Sequence, residues 1–204
     1  MHLRLGCGRN YHPAFLVCND IEQLRHIAKL PVIMQIPLKL ANGSKAKLFD
    51  SSRRKRLYQW TAIDEFSRYR FVYGFEEHTP ENSVKFLKLL EAAFPFKIGA
   101  VQTDNGTEFT YRYISEEKEC PFETALREAG IEHRLIPPRT PWHNGKVERS
   151  HRNDQRYFYD WERFGDVDEL NHKLREHLEW SNRKPMRTLG GKSPMQRLHE
   201  ALAV

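Results

Sequence analysis

Apolar positions recur along this chain with two different periods, and the switches between them mark out its elements. Leu57 to Ile63 and Tyr69 to Phe75 are dense in aromatic and β-branched residues, the composition of half-buried strands. Glu65-Phe66-Ser67-Arg68 joins them, so the two runs predict an antiparallel hairpin. Asp64, just past the first strand, reads as the cap of a tight turn with Ser67. From Thr79 the period becomes helical. Thr79 is the expected N-cap and Pro80 the first helical residue; Val84, Leu87, Leu90 and Phe94 form the buried stripe, and Pro95 ends it. The apolar run Ile98 to Thr103 then reads as a strand with Asp104 at its mouth, where Asn105-Gly106 turns the chain. Strand, helix, strand in this order predicts a crossover within a partly parallel sheet.

Further along, Phe122 to Gly130 has helical spacing with Gly130 at its C-terminal cap, and Ile131 to Ile136 reads as a short strand. Pro137-Pro138-Arg139-Thr140-Pro141 must run extended. Lys146 to Tyr159 is a predicted helix with Asn144 as its N-cap. Val147, His151, Asp154, Phe158 and Trp161 fall on one face, and Glu148, Arg152, Gln155 and Tyr159 on the adjacent stripe. Val167 to Trp180 is amphipathic through Leu170, Leu174 and Leu178, and Ser193-Pro194 opens a last helix reaching Leu202. Upstream, Val32 to Leu40 alternates loosely, with Pro37 pointing to an edge or a bulge. Ile21 to Leu30 has helical spacing behind Asp20, and 41–56 is a polar loop. The expected class is α/β, with a short N-terminal piece over 1–30, a core over 31–165 and a helix plus turn-rich tail over 166–204.

A chain of 204 residues, 39% hydrophobic and 29% charged, can bury one sizeable core. Its formal charge of +6 favours a polyanionic partner. Three Cys in this length suggest a reducing compartment. No run approaches the 18 apolar residues of a membrane span, and Met1 to Asn10 lacks the apolar stretch of a signal peptide. His2, Cys7, His12 and Cys18 do not have the spacing of a zinc knuckle. Cation density is highest in two places. The 41–56 loop holds Lys45, Lys47, Arg53, Arg54, Lys55 and Arg56 against Asp50. Between His133 and Arg156, six Lys or Arg (Arg134, Arg139, Lys146, Arg149, Arg152, Arg156) stand against two acids, Glu148 and Asp154.

Asp104 at a strand mouth and Glu148, 44 positions later near a helix start, can converge on one divalent cation, and carboxylate oxygens suit Mg²⁺ or Mn²⁺. Paired ions about 3.5–4 Å apart can clamp the attacking and leaving oxygens of a phosphoryl transfer. The other reading of Glu148 is a surface helix residue paired with Arg152.

The sequence around each acid is more specific than the acids alone. Val101-Gln102-Thr103-Asp104-Asn105-Gly106-Thr107-Glu108-Phe109 resembles the second-Asp motif of the retroviral-type integrase core, as found in bacterial insertion-sequence transposases. Thr140-Pro141-Trp142-His143-Asn144-Gly145-Lys146-Val147-Glu148-Arg149 resembles the motif that carries that family's Glu. The stretch Asn182 to Pro194 is similar to the Asn-Arg-Pro, Leu-Gly, Ser-Pro tail of the same transposases. The resemblance implies a ribonuclease H-like mixed sheet with flanking helices, and Mg²⁺- or Mn²⁺-dependent donor cleavage and strand transfer on DNA. It implies Asp104 and Glu148 as two of three metal-binding catalytic acids. It also implies DNA contacts from Asn105, His143, Asn144, Lys146, Arg149, Arg152 and Arg156, assembly as a homo-oligomer on element ends and target DNA, and a cytoplasmic, nucleoid-associated place away from membranes. One position departs from the pattern: alignment puts Pro37 where the family's first Asp stands, with Asp64 or Asp50 as the candidates to replace it. Catalysis is then expected to be weak, and the rival reading is an inactive DNA-binding or regulatory protein.

Overall fold

Five strands form one mixed sheet in the order β3-β2-β1-β4-β5. They are β1 (Val32–Pro37), β2 (Tyr58–Ile63), β3 (Arg70–Phe75), β4 (Ala100–Thr103) and β5 (Glu132–Leu135). The structure is a computed structural model; it describes residues 57–115, 118–137 and 145–203 and the backbone of β1. The readings above for 1–31, the cationic 41–56 loop, Asp50, His143 and Asn144 lie outside the described residues.

The predicted hairpin is β2-β3, antiparallel with Tyr58 opposite Phe75 and Ile63 opposite Arg70. Its turn is built as the sequence implied. The Ser67 amide and hydroxyl donate to Asp64 Oδ2 at 2.7 and 2.6 Å, and Arg68 takes the left-handed conformation with φ of 64°. β1 pairs antiparallel with β2, and β4 pairs parallel with both β1 and β5, the partly parallel sheet expected of the crossover.

Helices cover both faces. α1 (Pro80–Ala93) starts at Thr79, whose side chain accepts from the Asn82 amide, with Pro80 in the first turn. α2 (Pro121–Glu128) follows, and Gly130 beyond its end has φ of 66°, which glycine adopts without strain. These two helices close a core containing Trp60, Phe86, Leu90, Val101, Phe109 and Phe122. The buried stripe of α1 is rotated from the expected one. Phe86 is fully buried and Val84 only half-buried, because Trp60 donates its indole N–H to Ser83 Oγ at 3.1 Å and so turns the Ser83–Phe86 edge toward the sheet.

On the other face lie α3 (Gly145–Asp154), continued by a π-turn over Gln155–Tyr159, and α4 (Val167–Arg183). They close a second core of Val72, Phe158, Tyr159, Phe164, Leu170 and Leu174. α4 docks on β3 at Gly74. A Cβ there would lie 2.7 Å from Leu170 Cδ2, and Asn171 bonds both backbone groups of Gly74, at 2.7 and 3.0 Å. α5 (Pro194–Leu202) opens with a capping box, Ser193 and Gln196 bonding reciprocally. The π-turn corrects two expectations. An i→i+5 turn carries more residues than 3.6, so the phase set by Val147 and Asp154 is lost after Asp154. Tyr159 is buried rather than on the Glu148 stripe, and Trp161 is 80% exposed rather than on the inner face.

Candidate active site at the ends of β4 and α3

β4 alternates. Val101 enters the first core, and Thr103 on the same side meets His133 Nε2 through its hydroxyl at 2.8 Å. Gln102 therefore faces the side that carries α3 and α4, and Asp104 is the next residue in that alternation. Asp104 begins the turn. Its Oδ1 accepts from the Gly106 amide at 3.1 Å, and Asn105 Nδ2 donates to the Ile136 carbonyl at 3.0 Å, pinning the turn to the end of β5. Burial pushes the Asp104 carboxyl above its ordinary value, against the pull of the Gly106 N–H and His78.

Two further groups stand beside Asp104 that sequence reasoning did not single out. Glu108, 5% exposed, lies folded over the Gly106 backbone. A Cβ on Gly106 would collide with the Glu108 carboxylate where it now lies, so the absence of a side chain at Gly106 makes room for it. His78, whose side chain is 34% exposed, sits with Nε2 3.3 Å from Glu108 Oε1 and stacks on Tyr58 with ring centroids 5.5 Å apart. Burial, and then the Asp104 charge, raise the Glu108 carboxyl to about 7, while burial lowers His78. Burial thus works against charge on both members of this close pair. Glu108 belongs to the quoted Asp104 motif and could have been flagged from it; His78 carries no sequence signal.

The raised Glu108 value has a stability consequence. Its folded value lies above the ordinary glutamate value of 4.5, so its contribution is fully present below about pH 4.5 and is lost as pH rises through 7. Glu108→Gln is expected to stabilise the protein at pH 8 by an amount on the order of 1–3 kcal/mol and to change nothing at pH 4. Urea unfolding at the two pH values measures this.

β1 is the strand beside β4. Val32 lies opposite Ile63 of β2 on one side and Gln102 of β4 on the other. Two residues on, Met34 is level with Asp104 and lies opposite Thr61, whereas Pro37 lies roughly 10 Å farther along the strand. Register thus moves the position beside Asp104 from Pro37 to Met34. Neither is acidic, and no residue of β1 is. Asp64 does not take the role. β2 runs antiparallel, so Asp64 is displaced the opposite way, roughly 10 Å along and 10 Å across the sheet from Asp104, with its Oδ2 committed to Ser67.

α3 brings Glu148. Three contacts fix how this helix sits. Ser150 Oγ accepts from Arg70 of β3, His151 Nε2 is 3.0 Å from Thr61 Oγ1 of β2, and Asp154 reaches Gln59 of β2. Ser150 therefore marks the flank toward β3. His151 points at β2, and about 60° further in the same sense comes Glu148, on the flank turned toward β1 and β4. His151 shares the Thr61 row with Met34 and Asp104, and Glu148 is one turn before it. Glu148 is exposed, and no ion pair with Arg152 or any other described residue holds it. Burial lowers His151 to about 4, so it stays neutral.

Of the other expected contact residues, Lys146, Arg149 and Arg152 are on the outside of α3 and Arg156 is in the π-turn that continues it. Arg149 and Arg152 are exposed. Lys146 is paired with Glu65 of the hairpin turn. Arg156 lies with its guanidinium carbon 5.5 Å from the centre of the Tyr157 ring. For a hard divalent cation the donor chemistry fits, since Asp104 and Glu148 both offer carboxylate oxygens. Donor number falls short, because among the described residues no three His, Cys, Asp or Glu side chains are grouped to hold a metal ion.

A five-stranded mixed sheet in this order with helices on both faces is the ribonuclease H-like architecture. Two models described as integrase core domain match the chain, one over residues 42–141 and one over 129–194. The chain belongs to the integrase catalytic-core family. It is 30% identical over 138 residues to an ORF3 product of Spiroplasma virus SpV1-C74 whose name marks it as a candidate integrase; the match covers 63% of this chain and 38% of that one. It is 36% identical over 95 residues to the retrovirus-related Pol polyprotein from transposon RE1 of Arabidopsis thaliana, covering 45% of this chain and 6% of that polyprotein. The chain thus spans well under two thirds of these relatives. Its fold matches a chain in a structure of the simian T-cell lymphotropic virus intasome in complex with PP2A regulatory subunit B56 gamma. The TM-score is 0.60 at 22% identity, covering 83% of this chain and 55% of that one. No helix among the described residues is long and apolar enough to cross a membrane.

Proposed function

We propose that this chain is a DNA strand-transfer unit of the integrase type, with Asp104 and Glu148 as its acid pair and with turnover weakened by the lack of an acid on β1. The observation that supports this reading is the anchoring of α3: Ser150, His151 and Asp154 are bonded to β3 and β2, which leaves Glu148 on the flank toward β1. Asp104 and Glu148 would hold Mg²⁺ or Mn²⁺, which supplies activation of the attacking oxygen and neutralises charge on the phosphate. Arg149 and Arg152, exposed on α3, and Arg156, exposed on the π-turn, meet DNA phosphates, and Asn105 keeps the Asp104 turn fixed while the DNA is bound. Assembly as an oligomer on element ends is the arrangement that the intasome relative suggests.

A second reading is a DNA-binding regulator without turnover, favoured by a β1 that offers no carboxylate. The test is strand transfer with element-end DNA in Mn²⁺. Weak product formation that disappears in both Asp104→Asn and Glu148→Gln is expected. DNA binding without any product supports the regulator, and product formation indifferent to both substitutions contradicts the acid pair. Arg152→Ala is expected to weaken binding to all sequences alike and to reduce the salt slope by about 1, measured by fluorescence anisotropy between low and moderate salt.

A further inference from the structure

A polar interior lies between α3, α4 and the sheet. Its centre is Asp154, 1% exposed. Arg70 grips it with two parallel bonds, Nη2 to Oδ1 at 2.6 Å and Nη1 to Oδ2 at 2.9 Å. His177 of α4 lies 2.9 Å from Oδ1, and Gln59 Nε2 donates to Oδ2 at 3.2 Å. Arg70 also donates to Ser150 of α3 and, through Nε, to Ser181 of α4 at 3.0 Å. Asn182 of α4 closes on the Arg70 backbone at 3.1 and 2.9 Å. Tyr159, brought inward by the π-turn, donates its hydroxyl to Gln59.

An apolar interior would bury α3 as well but would leave its rotation loosely set, because burial is non-directional. A bidentate guanidinium–carboxylate pair fixes orientation. That matters for Glu148, which no described residue holds directly. Its direction is set by the rotation of α3 about its own axis, and the polar contacts at Ser150, His151 and Asp154 fix that rotation. We infer that Asp154 is the positioning residue for Glu148, and that α4, through His177, Ser181 and Asn182, is part of the unit that aims it. This rests on the strand-transfer reading for its functional meaning and on the structure for its geometry.

The decisive variant is the double substitution Arg70→Met/Asp154→Leu. It removes the directional pair without leaving a lone buried charge, a replacement that folded proteins commonly tolerate. Spin labels at Asn153→Cys on α3 and Glu132→Cys on β5, in a background with the native cysteines replaced, report the spread of distances between helix and sheet. The double variant is expected to melt within about 5 °C of its parent and to show a distance distribution about twofold broader. It should lose about tenfold or more in strand transfer, as small misplacements of reacting groups do, with DNA affinity changed less than about twofold. A folded double variant with the parental narrow distribution and full transfer overturns the inference. So does a double variant that fails to fold, since the pair is then a requirement of the fold and not an aiming device. If the parent itself shows no transfer, the functional reading fails while the label distances still decide the positioning claim.

Discussion

Met34→Asp is expected to raise Mn²⁺-dependent strand transfer by about 100-fold, because losing or gaining one preorganised electrostatic group at a reacting phosphate changes rates by about 10²–10³. The choice of position comes from register. Val32 pairs with Gln102, which sets Met34 level with Asp104 on the neighbouring parallel strand, on the row that continues to Thr61 and His151. On the proposed reading, an acid there would join Asp104 of β4 and Glu148 of α3 as the third carboxylate. Pro37→Asp is expected to change transfer less than about threefold, since it lies roughly 10 Å past that row. Assaying both variants against Asp104→Asn controls separates the two positions. A gain at Pro37 and none at Met34 contradicts the register and returns the first-acid position to where the sequence motif aligned it.

Arg70→Met alone is expected to cost about 3–5 kcal/mol of stability, the usual effect of removing one partner of a buried ion pair. Asp154 would keep only His177 and Gln59 for its charge. The same pair gives the protein an acid-sensitive element. Arg70, foremost among the favourable partners, and His177 hold the Asp154 carboxyl well below its ordinary value of 3.8 although burial opposes them. A depressed carboxylate contributes stability above its unfolded pKa that is lost as pH falls toward the folded one. Unfolding free energy should therefore decline below about pH 4, and Arg70→Met should flatten that decline. Urea titrations at pH 7 and pH 3 measure both; equal losses at the two pH values would contradict the assignment.

What the sequence disclosed was what local chemistry decides. Thr79-Pro80 and Ser193-Pro194 carry their own capping groups, so both helix starts fall where spacing put them. Asp64 and Ser67 are three residues apart, and their turn is self-contained. Asp104 follows from a short apolar strand and a turn, and Glu148 from a helix motif. Residues that act across long separations were not legible. Arg70 and Asp154 are 84 positions apart; spacing set Asp154 on the Val147 and Phe158 face, but nothing in the surroundings of either residue named the other as its partner. Glu108 and His78 join Asp104 only once the C-terminal ends of β3 and β4 and the start of α1 come to the same end of the sheet. Tyr159 and Trp161 exchanged places because a π-turn breaks the period on which the helical reading relied.

The central claim is that Asp104 and Glu148 address a single cation between β4 and α3. Mn²⁺ titration of the ¹⁵N-labelled protein tests it most directly, because paramagnetic broadening marks every amide close to the ion. The account predicts that the amides of Asp104, Asn105, Glu148 and Arg149 broaden together at substoichiometric Mn²⁺, and that Asp104→Asn abolishes the effect at Glu148 as well. Broadening confined to one of the two segments, or centred on Asp64 and Glu65, would contradict it.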